Sequence, residues 1–182
     1  AEDGIRDLVR SRGLGDVYKR QDQWIGLSAW CAKNNIPIIT IANRTHNDAR
    51  NWLATAGGGF QKPNQLIDQM DYILWIDSDQ VFTLKDIQTI LSCKSKFCTG
   101  WYLKGDTPMV ARWDEKTFLK TGSMAFLSKG ELEQSKGKLI EVSYCGFGFT
   151  KVASRIIKEL FSVRETLCLL LIIIFIHYLM NK

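Results

Sequence analysis

The sequence predicts an α/β domain: a mixed, mainly parallel sheet flanked by helices, incomplete at its start. Three observations carry that expectation. The apolar run Tyr72-Ile73-Leu74-Trp75-Ile76 stops abruptly at Asp77-Ser78-Asp79. Rich in aromatic and β-branched residues, it reads as a strand buried on both faces, as in a parallel sheet. A second strand-like run, Ile36-Pro37-Ile38-Ile39-Thr40-Ile41, lies upstream. Helical patterns alternate with these runs through the first half, the signature of a parallel α/β sheet, while the later strands are free to pair antiparallel.

The elements follow in order. Trp24, Leu27, Trp30 and Cys31 recur at helical spacing, and Asn34-Asn35 ends that helix. In the 36–41 strand, Pro37 stands at the start, where a missing N–H is tolerated. Residues 43–47 are polar and turn-like, and Asn47 or Asp48 is placed to cap a helix running to about Ala56. Gly57-Gly58-Gly59 stops it, and a loop continues through Pro63. After the Asp77/Asp79 strand, Thr83-Leu84-Lys85-Asp86 is close to a capping box, with Asp in the place of Glu or Gln, and opens a helix through Ile87, Ile90 and Leu91. Residues 97–103, 109–113 and 139–144 read as strands. Gly146-Phe147-Gly148-Phe149 follows, then a last helix from about Lys151 to Leu160.

Both ends of the chain stand apart. Ala1–Asp7 and Ser11–Gln21 each match translated sequencing-adapter codons, so residues 1–21 are expected to be an adapter-derived artefact without structure; a charged natural N-terminus is the competing reading. Residues 22–163 are then a partial domain whose first strand lies upstream. Residues 167–180 are almost wholly apolar, shorter than the roughly 20 residues that span a bilayer. A short membrane anchor, a buried strand and an out-of-frame read end all account for residues 164–182. A membrane partner is expected only if that tail is genuine.

Composition excludes little else. The chain is 46% apolar, enough for a real core. Its net charge is +5, and +4 without residues 1–21, which hold five basic and four acidic residues. The basic residues are scattered, so no nucleic-acid partner is expected. Five cysteines form no paired framework, and Cys93 and Cys98 are too isolated for a zinc site. Reduced thiols and a cytoplasmic location are the expectation.

The chemistry concentrates at Asp77 and Asp79. A parallel sheet places its ligand site at the carboxyl ends of its strands. Carboxylates there are costly unless paired or bound to a cation. A hard divalent cation held by few protein carboxylates takes its remaining oxygens from water and a substrate phosphate. The bland alternative is an ordinary Asp-Ser-Asp turn.

Taken together, Ala49-Arg50-Asn51, Trp75-Ile76-Asp77-Ser78-Asp79 and Glu141-Val142-Ser143-Tyr144-Cys145-Gly146-Phe147-Gly148-Phe149 resemble the inverting, family 2-like glycosyltransferases of the GT-A (Rossmann-like) fold. The short phage and environmental type is closest. The helix near Thr83 and the strand ending at Thr99-Gly100-Trp101-Tyr102 extend the likeness over roughly residues 27–160. The resemblance implies a nucleotide-sugar donor whose diphosphate is held by Mn²⁺ or Mg²⁺ on Asp79, with Asp77 on the ribose or in the metal shell. It places Arg50 and Asn51 on the nucleotide side. Gly146, Phe147 and Gly148 would form a loop passing close to donor and acceptor. Each has a plainer alternative: a surface cation for Arg50, a strand-to-helix turn for the glycines, and core packing rather than substrate stacking for Trp101 and Tyr102. In the family a carboxylate beyond the Gly-rich turn is the general base that an inverting transfer requires. Here only Glu159 and Glu165 follow, without matching context, so the base is expected to be absent and the fragment inactive. His46 reads as a loop or capping residue, and His177 falls in the apolar tail. The expected function is sugar transfer to an unknown glycan, protein or lipid acceptor. A nucleotidyltransferase-like enzyme and a non-catalytic nucleotide- or carbohydrate-binding domain are the alternatives.

Overall fold

The computed structural model describes residues 14–55, 67 and 69–163. In chain order its elements are α1 (Leu14–Lys33), α2 (His46–Thr55), β1 (Tyr72–Ile76), α3 (Leu84–Ser92), β2 (Phe97–Thr99), β3 (Leu103–Lys104), β4 (Thr107–Pro108) and β5 (Val110–Arg112). There follow α4 (Glu115–Thr121), β6 (Ala125–Phe126), α5 (Lys129–Gln134), β7 (Tyr144–Cys145), β8 (Phe149–Ala153) and α6 (Ser154–Val163). The expected stop at Gly57–Gly59, the loop through Pro63 and the apolar tail lie outside the described residues. No helix among the described residues is long and apolar enough to cross a membrane.

Two compact units divide the chain: Ala1–Thr40 with Asp79–Ser92, and Ile41–Ser78 with Cys93–Lys182. The first is a helix pair. α1 begins at Leu14, so residues 14–21, expected to be without structure, are helical. It ends as expected: Asn35 adopts a left-handed φ of 54°, Ile36 N–H donates to the Cys31 carbonyl and Asn35 N–H to that of Ala32, a Schellman stop. α3 starts at the anticipated box, with Thr83 N–H donating to Asp86 Oδ2 at 2.7 Å and Asp86 N–H to Thr83 Oγ1 at 3.3 Å. Gln23 on α1 ties down the turn before α3, donating to the Gln80 carbonyl and accepting from Phe82 N–H. Trp24 meets the Phe82 ring edge-on at 5.3 Å. Ile36–Ile41, expected to be a strand, has no ladder, and Ile36, Ile38 and Ile39 are exposed. Apolar β-branched residues make a strand only beside a partner edge, and none among the described residues lies alongside.

The second unit is a mixed α/β body, but the expected parallel sheet is not what forms: every ladder among the described residues is antiparallel. The first sheet has the order β1-β8-β2. Tyr72 faces Ala153 and Ile76 faces Phe149 across β1 and β8; Phe97 faces Val152 across β2 and β8. β3 and β4 form a small ribbon, and β6-β5-β7 a second three-stranded sheet. β1 is therefore an edge strand, only partly buried, rather than one covered on both faces. The cause is β8. The Gly146–Gly148 turn sends the chain straight back along β1, so residues 149–153 are strand where a helix was expected from Lys151. Every residue of β8 is buried, its two polar members included. Thr150 Oγ1 lies 3.1 Å from Thr99 Oγ1, and Lys151 Nζ donates to the Cys93 carbonyl beneath the Tyr72 ring. The helix follows one turn later, as α6.

A core of Ala54, Ile67, Trp75, Val152, Ala153, Ile156 and Ile157 joins α2, the first sheet and α6. Val110, Leu127 and Leu132 make a smaller one under the second sheet. Residues 139–144, expected as a strand, contribute only Tyr144 to β7, and residues 97–103 split into β2 and β3. Cys93 and Cys98 are joined by a disulfide between α3 and β2, where reduced thiols were expected. The turn after α3 sets their Cα atoms 6.8 Å apart, within the range a disulfide bridges. Cys31 and Cys145 are free thiols.

Candidate functional site

The candidate site lies at the carboxyl end of β1. The β1–β8 ladder closes there with Asp77 N–H donating to the Gly148 carbonyl at 2.8 Å. That bond fixes the Asp77 backbone and turns its side chain out of the ladder. α2 supplies the partner. Thr45, rather than Asn47 or Asp48, caps this helix: its Oγ1 accepts from Asp48 N–H at 3.3 Å, and Asp48 Oδ2 accepts in return from the Thr45 hydroxyl. Arg50, one turn in, donates from Nη2 to both Asp77 oxygens at 2.8 Å. The two side chains are 18% and 19% exposed, too covered for an ordinary surface pair worth under about 1 kcal/mol.

The third component is the turn between β7 and β8. The Phe147 ring lies under the Arg50 guanidinium, 5.1 Å from Cζ to ring centroid, a cation–π contact on a covered cation. Phe147 is held in turn by Trp75 at 5.9 Å and Phe97 at 6.3 Å. The structure therefore brings Arg50, Asp77, Phe147 and Gly148 into one constellation from three distant stretches of sequence. Asn51 is buried on α2 beside it in sequence. Asp79 is exposed and begins the second stretch of the helix-pair unit.

Tyr102 joins the group in a way the sequence did not indicate. Its hydroxyl accepts from Gly148 N–H at 3.4 Å. Burial foremost, with the Asp77 charge, raises its pKa above the ordinary tyrosine value, while the Gly148 bond and Arg50 oppose the rise. A Cβ on Gly146 would collide with this hydroxyl, so the glycine is required by the tyrosine's approach. Trp101, the other candidate for stacking, is exposed. Glu159 is exposed on α6.

No protein-family model, curated protein or solved structure matches this chain.

The divalent cation expected on Asp77 and Asp79 finds no ready ligand set. Both Asp77 oxygens face one guanidinium nitrogen, and among the described residues no three His, Cys, Asp or Glu side chains converge. Mg²⁺ demands near-octahedral oxygen coordination and Ca²⁺ six to eight oxygens. As arranged, these residues do not fit a resident ion. The constellation offers instead a pinned cation, a carboxylate, an aromatic face and a glycine-bordered turn, which together suit an anionic ligand carrying a hydroxylated or planar group.

Proposed function

We propose that residues 41–163 are a glycosyltransferase-like donor-binding body that holds a nucleotide-sugar. The observation that carries this reading is the meeting of Arg50, Asp77 and the Gly146–Phe147–Gly148 turn at the end of β1. The family resemblance names those three segments as the donor side, and they come from positions up to a hundred residues apart.

In sugar transfer the bond from the anomeric carbon to the diphosphate oxygen breaks, and negative charge builds on the departing phosphate. A fixed cation in a partly dry site stabilises that charge more than it would in water. Arg50 is such a cation, and its planar donor fork suits phosphate oxygens. The Asp77 carboxylate is the counter-ion that orients Arg50 for this contact. Phe147 and Tyr102 give the loop a rigid aromatic floor. The resemblance marks no carboxylate among the described residues of this body as the general base, so donor binding without transfer is the expected behaviour of the chain.

The test is a calorimetric titration of the full chain with uridine and guanosine diphosphate-sugars. Saturable binding of one of them, weakened about tenfold or more in Arg50→Ala, is expected from the loss of one charge-assisted contact. Preference for a nucleoside triphosphate would favour nucleotidyl transfer instead. Binding of glycans alone would reject the nucleotide reading.

A further inference from the structure

The expected divalent ion and the observed arginine compete for the same two oxygens. We propose that Arg50 is the resident cation of this site, and that a nucleoside diphosphate is held there without a divalent ion. This rests on the donor-site reading above and adds how that site meets charge.

The argument is one of occupancy. A cation bound at about 2.0–2.6 Å from a carboxylate oxygen uses the lone pairs that here accept from Arg50 Nη2. To enter on that face, it must displace a guanidinium that is four-fifths covered, and the ring of Phe147 holds that guanidinium in place. Phe147 is itself wedged between Trp75 and Phe97, so the arginine is backed by packed aromatic rings. Displacing it leaves a covered, unpaired charge. Asp77 offers the incoming ion a carboxylate that is already ion-paired, and among the described residues no three ligating side chains converge around it. Arg50, by contrast, carries five N–H donors, and the Asp77 pair uses those of one nitrogen. A diphosphate arriving on the far side of the fork meets a positive charge already oriented, with little ordering left to do.

Two kinds of site make opposite demands on Asp77. Where the carboxylate is a metal ligand, Asp77→Asn removes the ligand and nucleotide binding collapses. Where the carboxylate is the counter-ion of Arg50, the same change removes an anion that repels phosphate and shares the guanidinium, so binding tightens.

The experiment measures UDP and GDP binding to the full chain in EDTA and in excess Mn²⁺, with Mn²⁺ binding followed separately by electron paramagnetic resonance without nucleotide. The wild-type affinity should change less than about threefold between EDTA and Mn²⁺, Asp77→Asn should bind about threefold tighter, and Arg50→Gln about tenfold weaker. Without nucleotide, the wild type should take up no saturable Mn²⁺ below about 1 mM. Tightening of about tenfold by Mn²⁺, loss of binding in Asp77→Asn, or saturable wild-type Mn²⁺ abolished by Asp77→Asn would each overturn the proposal. If neither nucleotide binds under any condition, the donor-site reading fails, and the Mn²⁺ titration still decides whether Arg50 excludes the ion. Should Arg50→Gln lose its far-ultraviolet circular dichroism, the near-isosteric Asp77→Asn and the Mn²⁺ titration carry the decision.

Discussion

The two three-stranded sheets of the larger unit are built in opposite ways. The β1-β8-β2 sheet gathers residues 72–76, 97–99 and 149–153, so its strands meet across long stretches of chain. Its central strand is buried throughout, and among the described residues its core has seven buried members. The β6-β5-β7 sheet spans residues 110–145, and the cluster packed under it is the smaller one of Val110, Leu127 and Leu132. Its neighbouring helices are specified by their own ends: Asp114 caps α4, Gly122 ends it at a φ of 70°, and Ser128 with Glu131 forms a full capping box on α5. The first sheet depends on packing and carries the candidate site at its end; the second depends on local hydrogen bonds and carries none of the candidate residues. Side chains that must be held at fixed geometry stand where many packed neighbours fix them.

The sharpest way to break that contrast is to cut a methyl-rich side chain from each core. Ile157→Ala, on α6 under the first sheet, should cost about 4 kcal/mol, because its packed surroundings cannot collapse into the cavity. Leu132→Ala, under the second, should cost about 2 kcal/mol, since the smaller cluster relaxes or admits water. Urea unfolding of both variants gives the comparison directly. Equal losses would show that the two sheets share one core, and the distinction drawn here would fall.

A titration separates the sheets by sign. On β8, burial holds Lys151 below the ordinary lysine pKa. The unfolded chain then binds more protons than the folded one between that lowered value and 10.5, so this residue makes stability rise with pH over the window. On β7, burial pushes the Cys145 thiol from 9.0 up to about 11, against a smaller opposing bond to Thr99. The folded chain there binds more protons, so the contribution is whole below pH 9.0 and is lost as pH climbs toward about 11. Thermal unfolding from pH 7 to 11 should show Cys145→Ala flattening an alkaline fall of at most about 2 kcal/mol. Lys151→Met should remove the opposing rise and make the fall steeper. A change of the same sign in both variants would mean that burial does not govern either group.

What was readable in the sequence follows the same line. The ends of α1 and α3 were legible because Asn34-Asn35 and Thr83–Asp86 satisfy backbone groups within a few residues. By the same standard Ser128-Lys129-Gly130-Glu131 is a plain capping-box signal, and α5 was readable from it; α4 was readable from Asp114 and Gly122. β8 was not. Thr150 and Lys151 break its apolar pattern, and what lets them be buried, the Thr99 hydroxyl and the Cys93 carbonyl, lies about fifty residues away. Missing β8 turned an antiparallel sheet into an expected parallel one. The candidate residues Arg50, Asp77, Phe147 and Gly148 were nameable as motif members. That Arg50 would close on Asp77, or that Tyr102 would reach Gly148, depends on the turn into β8 and could not be read without it. Asp79, equally prominent in sequence, is exposed and belongs to the helix-pair unit.

The smallest expected effect tests the locally specified sheet on its own terms. In α5, the Ser128 hydroxyl accepts from Glu131 N–H at 3.3 Å, and Glu131 Oε2 accepts from Ser128 N–H at 2.8 Å. That reciprocal bond holds Glu131 below the usual carboxylate pKa. The stabilisation it brings is whole above the ordinary glutamate range and is lost as pH falls through the lowered value. Ser128→Ala should cost about 1 kcal/mol at neutral pH, the usual worth of a Ser N-cap. It should also weaken the acid-sensitive part of the unfolding curve, because Glu131 then loses the hydroxyl that answers it. Glu131→Gln keeps the geometry of the box without the charge, so it should retain most of the neutral-pH stability while losing the acid dependence. If Ser128→Ala and Glu131→Gln behave alike at pH 7 and pH 3, the box contributes through charge alone, and the second sheet is held by its small core after all.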